Sequence, residues 1–152
     1  MQARMRIHMP LRCQSPMPPH NGLRVLFVEP DDDLRYVMST LLRLVGCNVR
    51  AAANGADALA SIKAFAADVV LSELTLSDVN GFELARYIRA LPNTEHVVLI
   101  ALVSLCKENT RSDAVRAGFA RLLVKPLPCE RILDVLGPIA ESRGRTLESS
   151  EC

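Results

Sequence analysis

At 152 residues the chain is long enough for one domain with a full hydrophobic core. A formal net charge of +1 gives no electrostatic case for nucleic acid or an anionic membrane surface, and the absence of Trp leaves little with which to stack on bases. Apolar residues make up 49% of the chain, which suits a globular fold rather than disorder, yet no apolar run is long enough to span a membrane.

Residues 1–22 read as a basic, proline-rich leader. Arg4, Arg6 and Arg12 face no acid in this stretch, and Pro10, Pro16, Pro18 and Pro19 prevent regular structure. There is no continuous apolar segment of the kind a signal peptide needs. The leader is either an arm that docks on a partner or a disordered extension, with Met5, Met9 or Met17 as an alternative start. Because termini are usually loose, disorder is the preferred reading.

Arg24–Glu29 is the first strand, apolar from Val25 to Val28 as a central parallel strand is. Pro30 ends it, since it has no N–H for a ladder. Asp31, Asp32 and Asp33 then open a helix to about Val45, where acids suit the positive end of the dipole. Leu34, Val37, Met38, Leu41, Leu42 and Val45 form its inward face, and Gly46 stops it. Cys47–Ala52 is a weaker strand, Asn54-Gly55 a turn, and 56–65 a helix. The stretch DVVLSELTLSDVNG follows: Val69–Leu71 is a buried strand that carries Glu73 out at its C-terminal end. Asn80-Gly81 leads into a helix to about Leu91, and Pro92-Asn93 breaks the chain. Val97–Val103 is the fourth strand, 107–117 a helix closed by Gly118, and Ala120–Val124 the fifth strand, ended by Lys125-Pro126. A last helix runs from Cys129 to about Ala140, kinked or shortened by Gly137-Pro138, before a polar tail.

This is a βα unit repeated five times, which predicts an α/β fold with a five-stranded parallel sheet and helices on both faces. In such sheets ligands sit at the carboxyl ends of the strands, which is where Glu73 falls. No GxGxxG, Walker loop, HExxH or GxSxG occurs. The five cysteines, Cys13, Cys47, Cys106, Cys129 and Cys152, form no CxxC and read as reduced thiols of a cytoplasmic protein.

Several stretches together resemble the receiver domain of bacterial two-component response regulators: VLFVEPDDDLR, AANGADAL, DVVLSELTLSDVNGFELARYIRAL, VVLIALVS, the AGF turn and LVKPL. The resemblance covers about residues 23–142 and leaves 143–152 as a flexible tail. It implies a flavodoxin-like (βα)5 fold. It also implies transfer of a phosphoryl group from a histidine kinase to an Asp at the end of the third strand. There, Mg²⁺ is held by that Asp and an acidic pair after the first strand. A Thr or Ser on the fourth strand and a Lys after the fifth contact the phosphoryl group, and an aromatic residue on the fifth strand switches rotamer.

Mapped residue by residue, this sequence departs from most of that pattern and resembles a degenerate, pseudo-receiver form. The acidic pair falls on Glu29 and Pro30, and Pro30 has no ligand atom in its side chain. The phosphoacceptor position is Glu73, whose carboxylate reaches roughly 1.5 Å further than that of Asp. The hydroxyl position is Val103, with Ser104 turned away by strand alternation, and the aromatic switch position is Leu122. Lys125 matches. Three carboxylates and a Lys would need a divalent ion, whereas Glu29, Glu73 and Lys125 leave only −1. Two carboxylates about 4 Å apart repel by roughly 4 kcal/mol at an effective dielectric of 20, much of which one Lys offsets. The expectation is that Lys125 bridges to Glu73 and that the pair weakly mimics the phosphorylated state.

Glu73 has an equally weighted alternative as a solvated strand-end acid. Asp31 reads first as a helix cap and second as a surrogate metal ligand. Asp78 reads as a solvated loop acid, and nothing near Cys106 marks it as a redox site.

These residues predict a non-enzymatic module in phosphorelay signalling that works without phosphorylation, through protein contacts. Its surface would be the fourth helix, fifth strand and fifth helix, made basic by Lys107, Arg111, Arg116 and Arg121. Its partner would be a signalling protein or histidine kinase, or a second copy in a homodimer, and no cofactor is expected. The alternative is a phosphoacceptor with a rearranged Mg²⁺ site, using Asp31 or Asp32 on the metal. A small-ligand module of flavodoxin type comes last, for want of a phosphate cradle.

Overall fold

The computed structural model describes His20 and residues 22–149, with side chains through Arg143. Apart from His20 and Gly22, the expected leader lies outside the described residues, as does the end of the tail. Ten elements alternate: β1 (Arg24–Val28), α1 (Asp32–Leu44), β2 (Asn48–Ala52), α2 (Gly55–Ala64), β3 (Val69–Glu73), α3 (Gly81–Ala90), β4 (Val98–Val103), α4 (Thr110–Ala117), β5 (Arg121–Val124) and α5 (Cys129–Ser149). The strands pair in parallel in the order β2-β1-β3-β4-β5. The βα repeat predicts the parallel sheet, and the order is that of the flavodoxin-like fold that the resemblance implies.

Strand alternation divides the core in two. Val25, Phe27, Leu71, Ile100 and Leu102 face α1 and α5, where Met38, Leu42, Ile132 and Leu136 cover them. Leu26, Val28, Val70, Leu99, Ala101 and Val103 face α2, α3 and α4, where Ala58, Leu84, Ile88 and Ala114 do so. Side-chain caps fix where three helices begin. Asp31 accepts from Leu34 N, Asn54 from Asp57 N and Asn80 from Glu83 N, each satisfying one N–H that a helix start leaves unpaired. Gly81 begins α3 directly against β3, where an added Cβ would lie 2.6 Å from Leu74 Cα.

Three expectations need correction. α5 does not end near Ala140 but runs through Pro138 to Ser149, so the boundary expected at 142/143 falls within a helix. The extension is anchored: Arg143 donates to the Gly22 carbonyl and pairs with Asp68 at 3.4 Å. Val37 is 50% exposed rather than inward, because the packed stripe of α1 is Met38 and Leu42, flanked by Leu34 and Leu41. α4 begins at Thr110 rather than Lys107, because Thr110 Oγ1 accepts from Lys107 N and holds a turn there.

Among the described residues, no helix is long and apolar enough to cross a membrane. Cys47, Cys106 and Cys129 are free thiols. Burial pushes the Cys47 thiol up to about 11, which leaves it unreactive.

Candidate functional site

β1 and β3 are neighbours, yet the helices that follow them, α1 and α3, leave to opposite faces of the sheet. That divergence opens a crevice beyond the strand ends. Glu29 enters it from the end of β1, held by its own N–H to the Ala52 carbonyl at 3.0 Å. Glu73 enters as the last residue of β3. Lys125 follows β5, and its N–H donates to the Val103 carbonyl at 2.7 Å, so its side chain passes the end of β4 to reach both acids. The Lys125-Pro126 peptide is cis.

The three charged groups meet at short range. Lys125 Nζ lies 2.6 Å from Glu29 Oε2 and 2.6 Å from Glu73 Oε2. The remaining carboxylate oxygens are also engaged. Glu29 Oε1 accepts from Asp31 N at 3.1 Å, and Glu73 Oε1 accepts from Leu74 N at 2.9 Å and Thr75 N at 3.1 Å. Glu73 is only 5% exposed and Glu29 3%, so Glu73 is not the solvated strand-end acid of the alternative reading. Burial alone would pull the Lys125 pKa down. The hydrogen bonds and charges of Glu29 and Glu73 outweigh it and hold the ammonium above its ordinary value.

Around this triad, the other positions singled out in the sequence are dispersed. Pro30 is exposed, and its side chain brings no donor atom. Val103 is buried at 3% and presents only methyl groups, while Ser104 is exposed. Leu122 is half-buried against the core on the α2–α4 side. Asp31 points its carboxylate back to cap α1, with Leu34 N at 2.7 Å, and Asp32 pairs with Arg35, which also donates to the Glu29 carbonyl at 2.8 Å. Cys106 is exposed in the loop after β4.

A divalent ion such as Mg²⁺ needs several oxygen ligands in near-octahedral positions. Here Glu29 and Glu73 are the carboxylates at hand, and both share one ammonium and accept backbone N–H groups. Among the described residues there is no group of three or more His, Cys, Asp or Glu that could hold a metal ion. As arranged, this donor set does not fit the ion.

One positioning residue has no local signal in the sequence. The carboxylate of Asp78, in the β3–α3 loop, accepts from Gly55 N at 2.9 Å and Ala56 N at 2.8 Å, across the start of α2. Those bonds, and one from Val79 N, hold its pKa below the ordinary carboxylate value. The partners are more than twenty residues away, beyond the reach of spacing arguments. Only the pairing of an acidic loop with an uncovered helix start, read from the fold, would have found it.

The family model of the response regulator receiver domain matches residues 25–137. The chain is 33% identical over 109 residues to an uncharacterized 14.6 kDa protein in the sodA1 3′ region of Leptolyngbya boryana, covering 71% of this chain and 83% of that one. It is 30% identical over 108 residues to the transcriptional regulatory protein ZraR of Salmonella typhimurium, covering 70% of this chain but only 24% of ZraR. Among solved structures it is similar to the receiver domain of the sensor histidine kinase PA1611 from Pseudomonas aeruginosa PAO1, whose active site cleft coordinates a magnesium ion. The TM-score is 0.72 at 28% identity, over 79% of this chain and 98% of that one. The sheet order, the crevice at the β1/β3 divergence and the family match over most of the chain agree: this protein belongs to the response regulator receiver domain family.

Proposed function

We propose that this receiver domain is a pseudo-receiver, a binding module that signals through protein contacts without being phosphorylated. The observation that carries the reading is the placement of Lys125 Nζ, 2.6 Å from both Glu29 and Glu73. The ammonium sits between the two carboxylates as a monovalent counter-charge. Phosphoryl transfer needs nucleophile, metal and donor in one line, with charge stabilisation around the transferring group. In this site the nucleophile position is neutralised by Lys125, Pro30 supplies no metal ligand, and Val103 offers no hydroxyl. The Lys125 bridge also ties the β5–α5 loop to β1 and β3, which supports a single fixed shape rather than a switched one.

The surface this reading uses is formed by α4, β5 and α5. Lys107, Arg111 and Arg121 are exposed there and make no ion pair among the described residues, while Arg116 pairs with Asp113 at 3.9 Å. A groove of about 610 Å³ runs between α4 and α5, with Arg111, Arg121 and Arg131 beside Val115, Leu122 and Val135. Such a surface suits a signalling protein with an acidic, partly apolar face.

The test is the intact mass of the full chain after incubation with Mg²⁺ and acetyl phosphate. The expected result is an unmodified protein. A stoichiometric phosphoryl adduct that requires Mg²⁺ would overturn the reading in favour of a phosphoacceptor with a rebuilt metal site, and mapping the modified carboxylate would identify it.

A further inference from the structure

A second cavity adjoins the charged triad on the α1/α5 side of the sheet. It has a volume of about 450 Å³, with apolar walls from Phe27, Leu34, Met38, Leu102, Leu127 and Ile132. The size, and the balance of many apolar groups with few polar ones, are those of a small-molecule site. Phe27 is 1%, Leu102 2% and Ile132 2% exposed, so its floor is the packed core of the sheet and α5.

The polar side chains that line it are Glu29, Lys125 and Ser104. The two charges among them sum to zero and already hold each other, with Lys125 Nζ 2.6 Å from Glu29 Oε2. The other oxygen of Glu29 accepts from Asp31 N at 3.1 Å, and the ammonium is held from a second side by Glu73 at 2.6 Å. Neither lining charge is left as a vacant counter-ion. An ion of either sign entering between the apolar walls would lose hydration with no free partner to replace it. Ser104 differs. Strand alternation turns Val103 to the α2–α4 side and Ser104, like Leu102, to the α1/α5 side, where it lines the cleft. Ser104 is exposed, which places it at the mouth, and its hydroxyl bonds to no described residue. That hydroxyl can donate one hydrogen bond and accept others.

We propose that this cleft binds a neutral, mostly apolar small molecule that carries one hydroxyl or carbonyl group. Its apolar body lies between α1 and α5, and its uncharged polar group meets Ser104. Because Lys125, Pro126 and Leu127 also line the cleft, an occupant touches the loop that leads into α5 and shields the Glu29–Lys125 pair from water, which strengthens that pair. The inference goes beyond the absence of phosphorylation and does not depend on it. Phosphorylation is read as added mass and ligand binding as saturable shifts, so either can fail alone.

The test uses the full chain and three compact probes near neutral pH: cyclohexanol, cyclohexylamine and cyclohexanecarboxylate. Each head is bonded directly to the ring, so a charge has to enter the cleft with it. Methyl NMR spectra are recorded through each titration. The expected result is saturable shifts of the Leu34, Met38, Leu102, Leu127 and Ile132 methyls, with cyclohexanol roughly tenfold tighter than either ion. Leu34→Trp, at a half-buried wall position, should fill the cleft and abolish the shifts. If that variant does not fold, Ser104→Ala, at an exposed position, carries the test and should weaken cyclohexanol about threefold. No saturable shift at these methyls, an ion that binds as tightly as the alcohol, shifts confined to the α4–β5–α5 groove, or unchanged cyclohexanol affinity in Ser104→Ala would overturn the proposal.

Discussion

Two ionic clusters tie the sheet together, one at each edge, and their compositions are inverted. At the C-terminal edge one cation, Lys125, lies between two carboxylates, Glu29 and Glu73. At the N-terminal edge one carboxylate, Asp68, lies between two cations, Arg24 and Arg143, at 3.3 and 3.4 Å. The Lys125 side chain is 19% exposed and its partners 3% and 7%, whereas Arg24 and Arg143 are 35% and 31% exposed. The guanidinium groups keep much of their hydration, and salt screens them. The ammonium has lost most of its water and must keep both partners to recover that cost. The N-terminal cluster is thus a fastening between β1, β3 and α5. The C-terminal cluster also decides what the crevice can hold.

Removing Lys125 should break this contrast most severely. Lys125→Ala leaves two buried carboxylates facing each other and should cost about 3 kcal/mol in urea unfolding. The triple variant Glu29→Gln, Glu73→Gln, Lys125→Met removes the charges together and should recover most of that loss, which a simple packing defect would not. The ammonium pKa is raised above its unfolded value of 10.5. Its contribution is therefore complete below that pH and lost as pH rises through the folded value. The stability gap between wild type and Lys125→Met should hold up to about pH 10 and close above it. Next in size, Glu73→Asp draws the carboxylate back by roughly 1.5 Å from Lys125 and should cost about 1–2 kcal/mol. At the other edge, Asp68→Asn should cost about 1 kcal/mol, and that cost should shrink in high salt while the Lys125 effect does not.

The two edges were not equally legible in the sequence. Glu29, Glu73 and Lys125 stand at strand ends within the stretches that resemble a receiver domain, so that resemblance implied their convergence, which the pattern of elements alone did not. Elements were legible without it: apolar runs mark β1, β3 and β4, and Gly46, Asn54 and Asn80 mark helix ends. The N-terminal cluster was hidden because Arg143 lies past Pro138, where a proline and a polar composition argue for an end to the helix. A proline forfeits one backbone hydrogen bond, and here the helix continues beyond it. The apolar cleft beside Glu29 and Lys125 was hidden too. Leu34, Met38 and Ile132 read as ordinary core positions, and periodicity reports which side chains face inward but not whether opposing elements close the space between them.

The smallest effect concerns a fourth carboxylate, which sharpens the contrast between pairing with a cation and pairing with backbone. Asp78 has no cationic partner among the described residues; its oxygens accept the N–H groups of Gly55 and Ala56 and pin the β3–α3 loop to α2. Gly55 makes room for this approach, since a Cβ there would lie 2.3 Å from Val79 Cγ2. The bonds hold the Asp78 pKa below 3.8. Its stabilisation is therefore complete above the unfolded value and lost as pH falls through the folded one. Asp78→Asn replaces a charge at the helix start with a weaker neutral acceptor. It should lower the melting temperature slightly near neutral pH and less as pH falls below the unfolded value, and it should speed amide exchange at Gly55 and Ala56. Salt should alter this difference less than it alters that of Asp68→Asn, because short hydrogen bonds to fixed N–H groups are screened less than pairs between exposed charges. If salt weakens both alike, Asp78 acts through the general field of the helix start and not through the two bonds to Gly55 and Ala56.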